Sequence, residues 1–372
     1  MSPVAEAIQT APADTAPADT APPVGGLPAW ASRVLPAAAG LAVLALLPVP
    51  FGDFGYFVGQ FALVYTIIGL SVVVVTGYAG LISLMPYSFA GIGAMVTGTA
   101  VASWGWPFWL AIPLAAVATV PISVLVGVAS VRLKGLYLAI ATLTFADALG
   151  ETFFRWDAAT GGDVGRIIIR PVVGPVDLSS DASFYMVCLA IVGLLVWMVE
   201  GLRTSRTGRA MQAVRDNERE AQALGINTAR VKLAALLLGG MLAGIGGALL
   251  AALLTTASPS AFQSPTVQAT SILLVTLVAI GGMDRAVGAL FGAVVLVVQQ
   301  QVFQGAEFFF AFVGIYSALL LVLLLRFRPG GLVEIGKRQV ALIRERPVLG
   351  TAVAAAVIGV NVGCAWLFVA LS

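Results

Sequence analysis

The sequence contains no histidine. Acid–base catalysis and metal ligation through imidazole are therefore excluded. Charged residues are scarce, at 10%, where a soluble domain carries about 25%. So few cannot cover a normal aqueous surface. Only two cysteines occur, Cys188 and Cys364, both inside apolar runs. They read as small packing residues, and no disulfide framework is indicated. The three lysines stand as LKG, VKL and GKR. None completes a G-x-x-x-x-G-K-[ST] phosphate loop, so ATP hydrolysis by that route is not expected. No basic-then-apolar leader opens the chain. Residues 1–28 instead carry APADTAPADTAPP, which reads as a disordered Ala/Pro/Thr tail.

What is abundant is apolar sequence. Apolar residues make up 59%, and the mean hydropathy is +0.99. One membrane-crossing helix takes about 20 apolar residues, so the chain has room for roughly ten. The 41 glycines suit helices that approach closely in lipid. Spans are expected near 33–50, 56–76, 81–103, 106–130, 135–150, 184–201, 233–254, 266–283, 286–303, 309–326 and 348–370. The fold class is all-α, a polytopic transmembrane bundle of about ten or eleven spans. Pro86 and several glycines interrupt 81–103, marking a broken or re-entrant helix. No cofactor or metal set is evident. Nucleic-acid binding has no support, because the basic residues lie between hydrophobic spans.

Residues 203–232 form a charged, helix-compatible island between two apolar spans. It holds Arg203, Arg206, Arg209, Arg215, Arg219, Arg230 and Lys232 against Asp216, Glu218 and Glu220. Placing it in the cytoplasm and alternating sides puts all of the 20 basic residues inside except Arg155, Arg166 and Arg170. That asymmetry fits the positive-inside rule, with the amino terminus inside and the carboxyl terminus outside. The largest outer loop is then 151–183. Its IIIRPVV piece, bounded by glycine and proline, has the signature of a short hairpin.

From Gly208 to Leu224 the island is rich in helix formers. Ser205 or Thr207 can cap its start and Gly225 can stop it. Met211, Val214, Ala221 and Leu224 fall on one helical stripe. Two uses suit such a surface helix: resting on lipid head groups, or docking into a cleft of a partner protein. The interspersed acids favour a protein, since a lipid binder gains nothing from them.

SRTGRAMQAVRDNEREAQALGIN (205–227) resembles the cytoplasmic loop of ABC permeases of the branched-chain amino acid (LivH/LivM) class. It is also similar to a shortened EAA loop, with Glu220, Ala221 and Gly225 but without the trailing Leu-Pro. TGYAGLISLMPYSFAGIGAM (76–95), RLKGLYLAIATLTFADAL (132–149), TGG (160–162), SILLVTLVAIGGMDRAVGALFGAVVL (271–296) and LLRFRPGGL (324–332) resemble blocks of the M-type subunit in the same order. The resemblance covers about 55–334. Met85-Pro86 departs from the Gly-His common in that class, which leaves the substrate open.

The resemblance implies an ABC importer permease fold in a bacterial inner membrane. It implies two separate ATPase subunits, a second LivH-type permease, an extracytoplasmic substrate-binding protein and surrounding lipid as partners. Residues 31–334 would form the permease domain after a tail at 1–30, and 335–372 a cytoplasmic linker plus a last span. The island residues Arg209, Arg215, Glu218, Glu220, Ala221 and Gly225 are assigned to ATPase coupling. Thr160, Gly161 and Gly162 are assigned to contact with the binding protein, with a plain turn as the other reading. The substrate path is assigned to the broken segment, at Ser83, Tyr87, Ser88, Gly91 and Gly93. Asp147 joins them as the one acid embedded in an apolar run. Helix packing through small residues competes for each of these positions. Gly240, Gly244, Gly288 and Gly292 form G-x-x-x-G pairs and read as helix contacts. The transported solute is expected to be a branched-chain or related amino acid. Urea, short amides or another small polar solute is the rival within the class, and an ion-coupled secondary transporter is the rival outside it.

Overall fold

The computed structural model describes residues 52–303, apart from 132, 134, 163, 164, 169, 171, 174, 175, 178, 179, 264 and 265, together with Leu44 and Pro48. The tail, the expected span 33–50 apart from Leu44 and Pro48, the expected spans 309–326 and 348–370, the LLRFRPGGL block, the linker and Cys364 lie outside the described residues.

Every expected span between 56 and 303 is occupied by a helix. Helix α1 is Gly52–Val72 and runs on as a π-turn, Val73–Tyr78. Helix α2 is Pro86–Gly98, again extended by a π-turn, Thr99–Ser103. Helices α3 (Phe108–Ala118) and α4 (Val120–Ser130) make one apolar rod, and α5 is Leu136–Glu151. A four-residue turn, α6 (Asp157–Thr160), lies in the following loop. The long α7 is Asp181–Thr204. The island holds α8 (Arg206–Asp216) and α9 (Glu218–Ala223). Helices α10 (Thr228–Leu253), α11 (Thr266–Gly281) and α12 (Ala286–Phe303) follow. Phe54–Tyr78, Phe108–Ser130, Asp181–Thr204 and Thr228–Leu253 are each long and apolar enough to cross a bilayer.

Helix α10 is central, touching α1, α2, α3 and α4. Its glycines allow this. A Cβ at Gly247 would collide with the carbonyl of Ala90 on α2, and one at Gly244 would crowd the backbone of Ala115 on α3. At Gly240 the obstacle would be the Ser123 hydroxyl on α4. Gly288 of α12 lies as closely against Gly282. The G-x-x-x-G pairs are helix contacts, because small residues let backbones meet where no hydrophobic drive separates helix from lipid.

The charged groups gather at two ends. One end holds Arg203, Arg215 and Asp284 beside Tyr78. The other holds Arg170 with Asp181, and Asp181 accepts from Gln60 through its carbonyl. These are called the island end and the loop end below.

The loop between α5 and α7 is built from two short pairings. Strand β1 (Arg166–Ile167) pairs antiparallel with β4 (Thr256–Ala257), the segment after α10. Strands β2 (Val172–Val173) and β3 (Val176–Asp177) form the local hairpin. The hairpin expected on IIIRPVV is displaced: only Val172 and Val173 of that piece enter it, pairing with Val176 and Asp177, while Ile167 and the preceding Arg166 are recruited by a distant partner.

Candidate functional site: a broken helix wired to a charged island

Between Tyr78 and Pro86 the chain is not helical. Gly80 has φ +67°, a region that a side chain disfavours, and this turns the chain out of the π-turn. Thr76 Oγ1 then donates to the Leu81 carbonyl at 3.0 Å, and the Leu84 amide donates to Thr142 Oγ1 on α5 at 3.0 Å. Side-chain hydroxyls thereby satisfy backbone groups that hydrocarbon cannot. Pro86 at the first turn of α2 needs no amide partner and starts the helix. The interruption expected at Pro86 takes this form: an extended lead-in followed by a helix.

Ser83 is buried and lines a small cavity with Ser71, Thr76, Phe89, Leu236 and Gly239. Tyr87 is buried, hydrogen-bonded to Tyr65, with its ring 5.0 Å from that of Phe262. Ser88 is fully buried, and its hydroxyl makes no hydrogen bond among the described residues. Gly91 faces the rings of Phe154 and Phe262, and Gly93 lies on the backbone of Gly244. The two glycines serve close packing, whereas Ser83 opens on the cavity. Asp147 is half-buried and accepts from Gln268 Nε2 of α11 at 2.8 Å. It lies on the same helix as Thr142, about 7.5 Å further along the axis.

The island follows from local chemistry. Ser205 accepts from the Gly208 amide and caps α8. Gly208 packs so closely that a Cβ would collide with the Leu202 carbonyl. Asn217 ends α8 and caps α9, its Oδ1 accepting from the Arg219 and Glu220 amides. Glu220 returns the contact, accepting from Asn217 Nδ2 at 2.6 Å. The spacing is that of a capping box, but Glu220 takes the side-chain amide of Asn217, whose backbone amide stays bonded to the Ala213 carbonyl at the end of α8. At the far end Gly225 has φ +80°. Its amide reaches the Gln222 carbonyl, and that of Ile226 reaches Ala221, a Schellman stop. Asn227 then caps α10 by accepting from the Arg230 amide.

The single helix expected over 208–224 is therefore two, because Asn217 satisfies α9's amides better than a continued helix would. The break also re-aims the stripe. Met211, Val214 and Ala221 are buried as expected, but Leu224 is 80% exposed.

The island's charged residues divide into two sets. Glu218 turns inward and pairs with Lys232 of α10 at 2.7 Å, where the lysine side chain is 5% exposed. Arg215 also turns inward. Its Nη1 donates to the Gly77 carbonyl and to Asp284 Oδ1 at 2.9 Å. Arg206, Arg209, Arg219 and Arg230 face outward with no ion pair among the described residues.

In the loop, Thr160 is buried and donates to the Trp156 carbonyl at 3.1 Å. Gly161 and Gly162 have φ +87° and +77°. The stem of Arg166 fills the space beside Gly161, and its guanidinium donates to Thr99 Oγ1 and the Ala159 carbonyl, each at 2.6 Å. Arg170 donates to the Ala252 and Leu253 carbonyls at the end of α10, pairs with Asp181 at 2.7 Å and stacks over Phe184. The Thr-Gly-Gly turn shapes this loop around Arg166. The roles of Thr142, Gln268, Asp284, Arg166 and Arg170 carry no local sequence signature, since each depends on a partner distant in the chain.

The family model described as branched-chain amino acid transport system / permease component matches residues 57–328. Two relatives are named high-affinity branched-chain amino acid transport system permease protein LivM, from Salmonella typhimurium and Escherichia coli. Each is 28% identical over 313 residues, covering 77% of this chain and 71% of the relative. No solved structure matches significantly. The match takes in both the broken segment and the island, and the chain is a multi-pass membrane protein belonging to the branched-chain amino acid transport system permease family.

Proposed function

We propose that the chain is one permease subunit of an ATP-driven importer in a bacterial inner membrane. The solute is a branched-chain amino acid or a close relative, in line with the names of the two LivM relatives. The island docks on partner ATPases, a second permease completes the path, and an extracytoplasmic binding protein delivers solute. The amino terminus faces the cytoplasm together with the island end.

The observation that carries this reading is the outward face of the island. Leu224 stands 80% exposed, raised on the Gly225 stop, with four outward arginines on the same island that make no ion pair among the described residues. Burying one leucine side chain contributes about 1.5–3 kcal/mol. An exposed apolar side chain and exposed cations on one island fit a protein cleft that has an acidic rim. ATP-driven closure of the docked subunits moves the island, and the attached spans rock about the path. The path runs by Ser83, Tyr87 and Ser88, with Asp147 further along α5. Unwound backbone and hydroxyls there suit a zwitterionic solute.

The test is reconstitution. Proteoliposomes holding both permeases, the ATPases and the binding protein should accumulate leucine only when ATP is present on the island side. Equal uptake by this chain without ATPases would make it a secondary transporter. Accumulation of urea or a short amide in place of leucine would keep the ATP-driven class and change the substrate.

A further inference from the structure

We propose that Arg215 is a positioning residue, the stiff connection through which movement of the island reaches the non-helical segment 79–85. This rests on the docking reading above and adds how the motion is delivered.

Three elements meet at this one side chain. Arg215 belongs to α8, and its guanidinium grips the Gly77 carbonyl in the π-turn of α1. The same Nη1 reaches Asp284, in the turn between α11 and α12, at 2.9 Å. The aliphatic stem lies on Gly80, where a Cβ would fall 2.8 Å from Arg215 Cγ. Gly80 is also the residue with φ +67° that opens the broken segment. The contact is therefore made at the first joint of that segment. Ser83 and its cavity follow within three residues.

The surroundings leave little slack. The Met283 carbonyl occupies the space that a Cβ at Gly77 would need, so the α11–α12 turn rests on the end of α1. The segment's other end is tied to α5 through Leu84 and Thr142. A push on α8 cannot be absorbed at Gly77, and it passes to Gly80. All three arginines of α8 are exposed, Arg215 with 37% of its side chain, yet Arg215 alone among them grips the bundle. A guanidinium suits this task because its donors are held in a planar fork. A lysine ammonium keeps the charge but not the fixed geometry.

The experiment uses the assembled transporter with Cys188→Ala and Cys364→Ala as background. Ile82, 41% exposed on the broken segment, becomes the reporter as Ile82→Cys. Maleimide labelling of that thiol is measured without nucleotide and with ATP trapped. The expected result is a nucleotide-dependent labelling rate in the background protein. Adding Arg215→Lys should abolish that dependence and lower uptake per ATP hydrolysed about ten-fold, with the ATPases still copurifying. Asp284→Asn, on an exposed turn, should give a partial version of both effects. Labelling that still follows nucleotide in Arg215→Lys, or an Asp284→Asn protein indistinguishable from the background, overturns the proposal while docking stands. Failure of the ATPases to copurify with the background protein overturns docking and this proposal together.

Discussion

The two ends of the bundle use arginine in opposite ways. At the loop end each of Arg155, Arg166 and Arg170 has a partner: a carboxylate, a hydroxyl or a backbone carbonyl. Arg170 is the clearest case, with two carbonyls, a carboxylate and an aromatic ring around one guanidinium. At the island end, among the described residues, Arg215 alone is engaged in this manner, and four other arginines project outward without an ion pair. Cations whose hydrogen bonds are internally satisfied hold a shape. Cations left free offer themselves to a second molecule. On the docking proposal above, the contrast separates an end whose arginines are self-sufficient from one whose arginines are left for the ATPases.

The largest expected effect comes from breaking the self-sufficient end. Arg170→Ala removes a side chain that is 12% exposed, leaves Asp181 without its cation and the Leu253 carbonyl without this donor, while the Ala252 carbonyl keeps the Thr255 amide. The Asp181 side chain is 36% exposed and regains water, so the cost is that of the lost charge-assisted hydrogen bonds and the ring contact, together about 3–5 kcal/mol. Thermal unfolding of the purified protein in detergent should shift down accordingly, with or without ATPases present. Glu218→Ala, which strands the buried Lys232, should come close behind at about 3 kcal/mol, read by the same melt.

The other end should respond in the opposite sense. Arg206→Gln, Arg209→Gln and Arg219→Gln combined should leave the melt within about 0.5 kcal/mol of the parent. ATPase copurification should nevertheless fall at least about ten-fold, and should weaken with salt in the parent. A melt that drops with these changes would show that the outward arginines stabilise the fold, and the contrast between the ends would dissolve.

Gly225→Val lies between these cases. A side chain at φ +80° costs about 1–2 kcal/mol, and no atom lies within 4 Å of the added Cβ, so the cost is conformational. Uptake should fall several-fold because Leu224 loses its fixed direction. The smallest effect is expected from Ser205→Ala, a lost cap worth about 1 kcal/mol, seen as faster amide exchange over Gly208–Met211.

Much of this was legible in the sequence. The spans follow from apolar run length, and the island's start and stop follow from Ser205 and Gly225, whose chemistry is local. The glycine contacts along α10 follow from spacing. Asn217 was harder to read, since Asn is tolerated inside a helix and its capping depends on competition with helix continuation. Once it wins, Leu224 moves from the buried stripe to the surface. Arg215 illustrates a different limit. Nothing near it in sequence distinguishes it from Arg209, and its role appears only when Gly77, Gly80 and Asp284 are brought to it by the fold. The pairing of Arg166–Ile167 with Thr256–Ala257 escaped for the same reason.

The extended stretch ahead of Pro86 also bears on how the molecule is made. Translation delivers it, and the short helix behind it, long before Thr228–Leu253 emerges, yet Gly244 and Gly247 of that later helix form the wall on which Ala90 and Gly93 rest. A nascent chain halted ahead of residue 228 therefore leaves Ala90 and Gly93 without the backbone wall on which they pack. The short helix gains its closest neighbour only when that later span arrives, so its final seat is set after the spans that precede Thr228 have been made.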